Sequence, residues 1–300
     1  MTRRRSLRGF GLLALSLLLV AATDADYDAS VDALSRDLEG RTENAALQER
    51  VERRRAALPA DSAAQLRARL DTLELEPVRI PGLFYERFPQ TGADLSTVES
   101  WLGRPVRMIE TNETGTVEAN AVVVARALRA APRRVVVISA SKGSADLRAA
   151  LENEPALGRH VAIWLDLVGV LEGTPLVDFP PGDSAARELG LPTATRRSLG
   201  SAVRRAAARP ERFPSETRAV HVAAFPHVSD ISERALGAFT LLRHLGPNDG
   251  YVLLDTYQRI PGRVFVVRGA DHYLRLDSIE HTLTAVLWVL LEEVSQSMGG

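Results

Sequence analysis

The chain contains no cysteine among its 300 residues. A disulfide-bonded scaffold, a thiolate metal site and a cysteine nucleophile are therefore excluded. Covalent chemistry must come from serine, threonine, lysine or a carboxylate. An excess of charge of one sign is also missing, because 37 lysines and arginines stand against 38 aspartates and glutamates, for a net charge of −1. Since phosphate contacts need a basic excess, a nucleic-acid partner is not expected.

A hydrophobic run long enough to span a membrane is absent, since such a helix needs about 20 apolar residues. The N-terminus instead carries four arginines within residues 2–8, followed by thirteen mostly apolar residues, 10–22, that end in small side chains. This order is typical of a secretory signal cleaved after Ala22 or Ala25. We expect residues 1–25 to be a signal peptide or an N-terminal anchor. The protein is then periplasmic or secreted, or an uncleaved signal segment tethers it to the inner membrane. Peripheral association with a membrane is a further expected partner interaction.

Residues 26–76 are highly charged, and their leucines and valines recur at helical spacing. Pro59 and Asp61 mark a helix stop and a helix N-cap. We therefore predict a helical N-terminal extension built from two amphipathic helices with a break near residues 58–61.

From Pro77 onward, short β-branched runs alternate with helical stretches, which predicts a doubly wound α/β domain with a mostly parallel sheet over residues 77–300. The predicted strands are residues 78–80, 106–109, 135–138, 161–168, 219–225 and 264–267. No segment repeats at a fixed period, so a solenoid or propeller is excluded. About residues 171–218 the alternation stops and proline, alanine and arginine dominate, which indicates a helical cap inserted between two strands.

The sharpest chemical motif follows the predicted strand 135–138 and reads Ser-Ala-Ser-Lys-Gly at residues 139–143. A buried strand that turns directly into a helix through small-x-Ser-x-small is what a nucleophile elbow requires, because the turn leaves no room for large side chains. Ser141 would stand above the sheet at a helix N-terminus, whose dipole favours an oxyanion. Ser141 is therefore the candidate nucleophile.

His272 is the best candidate base among the six histidines. It follows the predicted strand 264–267 in a loop at the carboxyl edge of the sheet, where catalytic groups of open α/β sheets gather. We place His160 and His221 at strand starts, on the opposite edge. His281 falls in the predicted last helix.

Two carboxylates compete to orient His272. Asp249 lies in a turn 23 positions earlier, and Asp230 follows the predicted strand 219–225. We favour Asp249 and keep Asp230 as the alternative. Asp271 adjoins the histidine and is not expected to turn back onto it. The order Ser, Asp, His along the chain is that of the α/β-hydrolase arrangement.

Two backbone N–H groups, of Leu83 and Lys142, are the predicted oxyanion hole. Leu83 follows Pro-Gly at the end of the first predicted strand, and Lys142 follows the nucleophile. Such donors stabilise the negative charge that develops on the attacked carbonyl. We also expect Gly82, Phe84 and Gly173 to contact the substrate.

From about Pro77 to its end, the chain resembles the α/β-hydrolase superfamily, and within it bacterial lipase- and esterase-like members. The matching segments are residues 80–83 (oxyanion loop), 139–143 (elbow), 169–178 (loop after the next strand), 248–250 (acid loop) and 269–272 (histidine loop). Two departures stand out. Ser139 replaces the usual first glycine of the elbow, and Glu172 stands where a histidine is usual. Residues 1–75 lie outside the resemblance.

The resemblance and the residues together predict a serine hydrolase that cleaves a small-molecule or lipid carboxylic ester through Ser141, His272 and Asp249. The alternatives are an acyltransferase or thioesterase with the same three residues, or an inactive envelope scaffold on the same fold. No cofactor and no metal are expected, because Asp94, Glu118 and Asp178 are better explained as solvated or capping carboxylates.

Overall fold

A computed structural model describes residues 23–85, 99, 102–188 and 190–298. Residues 1–22, which hold most of the predicted signal segment, lie outside the described residues. The helices are α1 (Asp24–Glu39), α2 (Thr42–Ala56), α3 (Ser62–Thr72), α4 (Val117–Arg129), α5 (Lys142–Asn153), α6 (Pro180–Glu188), α7 (Thr193–Leu199), α8 (Ser201–Ala207), α9 (Glu233–Leu242) and α10 (Ile279–Met298). The strands are β1 (Glu76–Ile80), β2 (Arg107–Met108), β3 (Val135–Ala140), β4 (Val161–Leu167), β5 (Arg218–Phe225) and β6 (Arg263–Arg268).

The strands form one parallel sheet in the order β2-β1-β3-β4-β5-β6. All six predicted strands are present. The central strands β3 and β4 are buried at every position, as expected for a parallel sheet with helices on both faces. The predicted mostly parallel α/β architecture is therefore confirmed.

Helices cover both faces of the sheet. One face packs its apolar residues, including Val136 and Ile138, against α2, α3 and α10. The other face, with Val135 and Val137, packs against α1, α4 and α5. Helices α1–α3 thus supply part of the core on both sides of the sheet.

The prediction of two helices in the N-terminal extension is wrong, because residues 24–72 form three. The expected break lies between α2 and α3, but a further break separates α1 from α2. Gly40 ends α1 and donates its N–H to the carbonyl of Arg36 at 2.9 Å. No proline marks this turn, and apolar residues at helical spacing lie on both sides of it, so the sequence pattern did not reveal it.

Between β4 and β5 the chain forms the short helices α6, α7 and α8. Leu191 and Leu199 from this segment are buried with Phe84, Val117 and Val252 in a third apolar cluster. The predicted insertion is therefore helical, and it packs against the loops that follow β1 and β4. Within the described part of the chain, no helix has the length and apolarity to cross a membrane.

Candidate active site

Ser141 occupies the turn between β3 and α5 with φ 51° and ψ −122°. A positive φ is strained for a residue with a side chain, and such strain concentrates at functional sites. The turn is tight because Gly143 lies against β1: a Cβ on Gly143 would come within 2.6 Å of the carbonyl oxygens of Ile80 and Pro81. Only glycine fits there, as the elbow motif predicts.

Ser139, which stands where elbows usually have glycine, is fully buried. Its hydroxyl lies 2.7 Å from the Ser144 hydroxyl and accepts a hydrogen bond from the Trp164 indole at 2.7 Å. A buried hydroxyl is costly only when it lacks a partner. These two contacts therefore explain why serine is tolerated at this position.

His272 lies within hydrogen-bonding distance of both predicted partners. Its Nε2 is 3.0 Å from Oγ of Ser141, and its Nδ1 is 2.8 Å from Oδ2 of Asp249. The backbone N–H of His272 also donates to the carbonyl of Asp249 at 2.8 Å. The serine, the imidazole and the carboxylate thus form one continuous line of hydrogen bonds.

Asp249 is fully buried, and its own loop fixes its carboxylate. Oδ1 accepts the backbone N–H groups of Tyr251 at 2.9 Å and Val252 at 2.8 Å, while the Asp249 N–H donates to the carbonyl of Val252 at 3.1 Å. The other oxygen, Oδ2, is left to His272. A short turn thus holds the carboxylate in one orientation.

The rival carboxylates have other partners. Oδ2 of Asp230 accepts the N–H of His227 at 2.8 Å and caps a short turn. Oδ2 of Asp271 accepts the N–H of Ser232 at 2.9 Å and its hydroxyl at 2.5 Å. Asp249 is therefore the carboxylate that the structure brings to His272, and the alternative acid Asp230 is not.

His221 lies within β5 rather than at a strand start, which corrects its predicted position. Its ring is buried between Oδ2 of Asp166 and the carbonyl of Pro261, each 2.8 Å away. Because both ring nitrogens face these acceptors, His221 ties β5 to β4 and to the loop before β6. His281 lies on α10, as predicted, with its Nε2 3.0 Å from the carbonyl of Arg55.

The predicted oxyanion donors lie on either side of the serine. The loop after β1 passes close to Ser141, since a Cβ on Gly82 would lie 3.1 Å from Cβ and 3.7 Å from Oγ of the serine. Leu83 follows in that loop. Lys142 is the first residue of α5, and the first N–H groups of a helix have no acceptor within it. The roles of Leu83 and Lys142 as donors stay predictions.

The side chain of Lys142 belongs to a buried ion pair that the sequence reasoning missed. Its ammonium lies 2.8 and 3.0 Å from the carboxylate oxygens of Asp146, which also accepts from Asn120 at 2.9 Å. Burial lowers the pKa of Lys142 and raises the pKa of Asp146 to about 6. The spacing of four residues on one helix is the signal that could have suggested the pair.

Two tyrosine rings, those of Tyr251 and Tyr273, lie beside the imidazole. The ring of Tyr251 lies 4.9 Å from that of His272, and the Tyr251 hydroxyl is 2.9 Å from the hydroxyl of Tyr273. The carbonyl of Tyr251 accepts a hydrogen bond from the Thr174 hydroxyl at 2.6 Å. This bond joins the loop of Tyr251 to the segment after β4. Sequence reasoning did not select Tyr251, although it lies two residues after the chosen acid.

The predicted substrate contacts differ in their surroundings. Gly82 lies beside Ser141, and Phe84 is buried in the apolar cluster with Val117 and Leu199. Gly173 has φ 80°, and a Cβ there would lie 2.5 Å from the carbonyl of Leu199. Gly173 therefore has a packing role, and its contact with a substrate stays a prediction.

Glu172, the second departure from the family pattern, is bound to arginine. Its Oε2 accepts Nε of Arg259 at 3.0 Å and Nη2 at 2.8 Å. These contacts join the segment after β4 to the turn before β6. The residue that replaces the usual histidine thus forms a bridge between two loops.

Among the described residues, no three histidine, aspartate or glutamate side chains are placed to hold a metal ion. Glu118 pairs with Arg204, and Asp178 accepts the N–H of Ser201 at 2.9 Å. Asp94 lies outside the described residues. The first two carboxylates thus have the capping and pairing roles that explain their presence.

No family model and no curated protein matches the sequence. Solved structures do match: the metagenomic carboxyl esterase MGS0156 is similar with a TM-score of 0.58 and 22% identity, over 74% of this chain and 76% of that chain. The mature form of lipase BlEst2 from Bacillus licheniformis is similar with a TM-score of 0.56 and 21% identity, over 72% of this chain and 91% of that chain. These likenesses confirm the fold that the motifs predict, and the chain has the α/β-hydrolase fold.

Proposed function

We propose that the protein is a serine hydrolase that cleaves carboxylic esters through an acyl-enzyme. The observation that carries this proposal is the hydrogen-bonded line from Ser141 Oγ to His272 Nε2, at 3.0 Å, and from His272 Nδ1 to Asp249, at 2.8 Å. A base that contacts the nucleophile, and is itself oriented by a third group, is the arrangement that activates a serine. The two similar structures, a carboxyl esterase and a lipase, agree with it.

The first half of the reaction transfers the acyl group to the enzyme. His272 Nε2 takes the hydroxyl proton as Ser141 Oγ attacks the ester carbonyl carbon, and the carbonyl oxygen becomes an oxyanion. The N–H groups of Leu83 and Lys142 are the proposed donors to this oxygen. Asp249 stabilises the imidazolium that forms. The bond to the alcohol oxygen then breaks, and the alcohol leaves with the proton from His272.

The second half returns the enzyme to its starting state. Water attacks the acyl-serine carbonyl while His272 Nε2 takes one of its protons. The second tetrahedral intermediate breaks at the bond to Ser141 Oγ, which recovers its proton from the imidazolium. The carboxylic acid is released. The similarity to a carboxyl esterase and a lipase supports an ester of a small molecule or a lipid as the substrate.

Export is part of the proposal. The arginines of residues 2–8 and the apolar residues 10–22 have the order of a secretory signal. The cap of α1 favours cleavage after Ala22, because Thr23 and Asp26 form a capping box that cleavage after Ala25 would remove.

Labelling with a fluorophosphonate tests the proposed activity. We expect the wild-type protein to bind one equivalent covalently and to hydrolyse p-nitrophenyl esters, because the activated hydroxyl attacks both reagents. Ser141→Ala should lose the label and the esterase activity. Ser144→Ala is the matched control: it removes a buried hydroxyl three residues away and should retain the label.

Each other outcome points to an alternative. Absence of a label on the folded wild-type protein would contradict the proposal and favour an inactive scaffold. Turnover of a p-nitrophenyl ester in which an added alcohol or thiol captures the acyl group in preference to water would identify an acyltransferase.

A further inference from the structure

Tyr27 connects the N-terminal helix α1 to the loop that carries the proposed acid. Its side chain is 3% exposed. Its hydroxyl donates a hydrogen bond to the carbonyl of Asn248 at 3.0 Å and accepts one from the N–H of Asn248 at 2.8 Å. One phenol oxygen thus satisfies both backbone groups of a residue 221 positions away.

Asn248 directly precedes Asp249, and both residues are fully buried. A buried backbone group without a partner is costly, so the phenol restricts where this part of the loop can lie. The Asn248 side chain continues the restraint: its Oδ1 accepts the N–H of Gly250 at 3.0 Å, and its Nδ2 donates to the carbonyl of Gly246 at 3.2 Å. The backbone on both sides of Asp249 is therefore held.

The phenol is itself firmly placed. Its ring packs edge-on against Phe239 at 5.2 Å, and the Arg243 guanidinium lies over it at 5.5 Å. The next residue, Asp28, accepts the N–H of Val228 at 2.8 Å and fixes α1 to the loop after β5. Burial raises the pKa of Tyr27 well above its usual range, so its hydroxyl keeps its proton at neutral pH.

We propose that Tyr27 is a positioning residue for the proposed serine hydrolase: through Asn248 it holds Asp249 at the distance and angle that orient His272. This inference rests on the proposed function. It assigns part of the active-site support to α1, in the region outside the resemblance to other hydrolases. Tyr27 acts through Asn248 and is not itself a catalytic residue.

Tyr27→Phe tests the proposal, because it keeps the ring and removes both hydrogen bonds. A displacement of a supporting group by about 1 Å can cost a large factor in rate. We expect kcat and the rate constant of fluorophosphonate labelling to fall about tenfold. KM should stay within about twofold, and the final fraction of labelled molecules should remain that of the wild type. A purely structural role would lower the labelled fraction and leave the rate constant of the folded molecules unchanged.

Two control variants separate the hydroxyl from packing and from burial. Tyr257→Phe removes another buried phenol hydroxyl, which has no hydrogen-bond partner within the described part of the chain. It should keep the wild-type rate constant. Phe239→Leu weakens the packing of the Tyr27 ring but leaves its hydroxyl in place. It should lower the melting temperature and leave the rate constant of labelling close to that of the wild type.

The outcomes distinguish this proposal from the proposed function. If the wild type takes no label, the proposed function fails. If the wild type is labelled and Tyr27→Phe reacts at the same rate constant, the role of Tyr27 is refuted. Should Tyr27→Phe not fold, 4-aminophenylalanine at position 27 retains the ring and a donor to the Asn248 carbonyl, but its nitrogen is a poor acceptor for the Asn248 N–H. A two- to threefold fall in rate constant, about the size expected for a weakened neutral hydrogen bond, then supports the proposal, and an unchanged rate constant overturns it.

Discussion

The carboxylates of Asp249 and Asp230 bind different groups. Asp249 accepts backbone N–H groups with one oxygen and faces His272 with the other. Asp230 accepts the N–H of His227 and completes a turn. The first arrangement presents a carboxylate oxygen to an imidazole, and the second completes a turn.

Asp249→Asn should therefore lower kcat about 10³- to 10⁴-fold, because a neutral amide neither stabilises the imidazolium nor holds the productive tautomer. Asp230→Asn is the matched control and should stay within about twofold of the wild-type kcat, with a lower melting temperature from the weakened cap. Steady-state hydrolysis of a p-nitrophenyl ester measures both. A large loss with Asp230→Asn and a small one with Asp249→Asn would reverse the assignment.

An ion pair between Asp32 and His227 connects helix α1 to the loop after β5, and its strength depends on pH. Asp32 lies 3.0 Å from Nε2 of His227 and also contacts Arg268. The hydrogen bond with Asp32 raises the pKa of His227, and the nearby charges of Asp28 and Asp230 raise it further. The same hydrogen bond lowers the pKa of Asp32. Because the folded-state pKa of His227 is raised, its contribution to stability is complete below about pH 6.5 and is lost as pH rises through the folded value.

Asp32→Asn should remove this dependence. The wild type should gain melting temperature between pH 8 and pH 6 relative to Asp32→Asn, by no more than about 2 °C, because the pair is partly exposed and screened. Below about pH 4 the gain should fade as Asp32 itself becomes protonated. Thermal unfolding at pH 3, 6 and 8 measures it. Asp37→Asn, which removes an exposed carboxylate paired with Arg41, should behave as the wild type, and an equal pH response in Asp32→Asn would contradict the prediction.

The central strands β3 and β4 could be predicted because they are buried on both faces, so that continuous apolar runs rich in β-branched residues mark them. The pattern for β3 ended at Ile138, since Ser139 and Ala140 are small, whereas the strand continues to Ala140. The site residues at the elbow and the histidine loop followed from their positions at strand ends. The contact of Tyr27 with Asn248 could not be predicted, because no local pattern joins residues that meet only through the tertiary fold.

The whole molecule depends on its N-terminal helices. Tyr27, Val31 and Leu38 of α1 are buried against one face of the sheet, and Leu47 and Val51 of α2 against the other. The extension is thus part of the core, and its removal would expose apolar surface on both faces.

A chain that begins at Thr23 should unfold cooperatively, whereas a chain that begins at Arg41 should not. Loss of α1 uncovers buried side chains that each contribute about 1.5–3 kcal/mol, a total comparable with the stability of a domain. Circular dichroism and thermal melts compare the two. A folded, cooperative chain from Arg41 onward would show that α1 is dispensable.

Contacts between the N-terminal helices and residues more than 200 positions later determine when these helices can complete their packing during synthesis. Tyr27 of α1 contacts Asn248, 221 positions later in the sequence, and Arg50 of α2 contacts Glu293, 243 positions later. At translation speeds of about 5–20 residues per second, α1 leaves the ribosome some 10–45 s before its partner loop exists. Contacts this distant in sequence also slow folding. The contact between Tyr27 and Asn248 therefore cannot form until residue 248 has been synthesised.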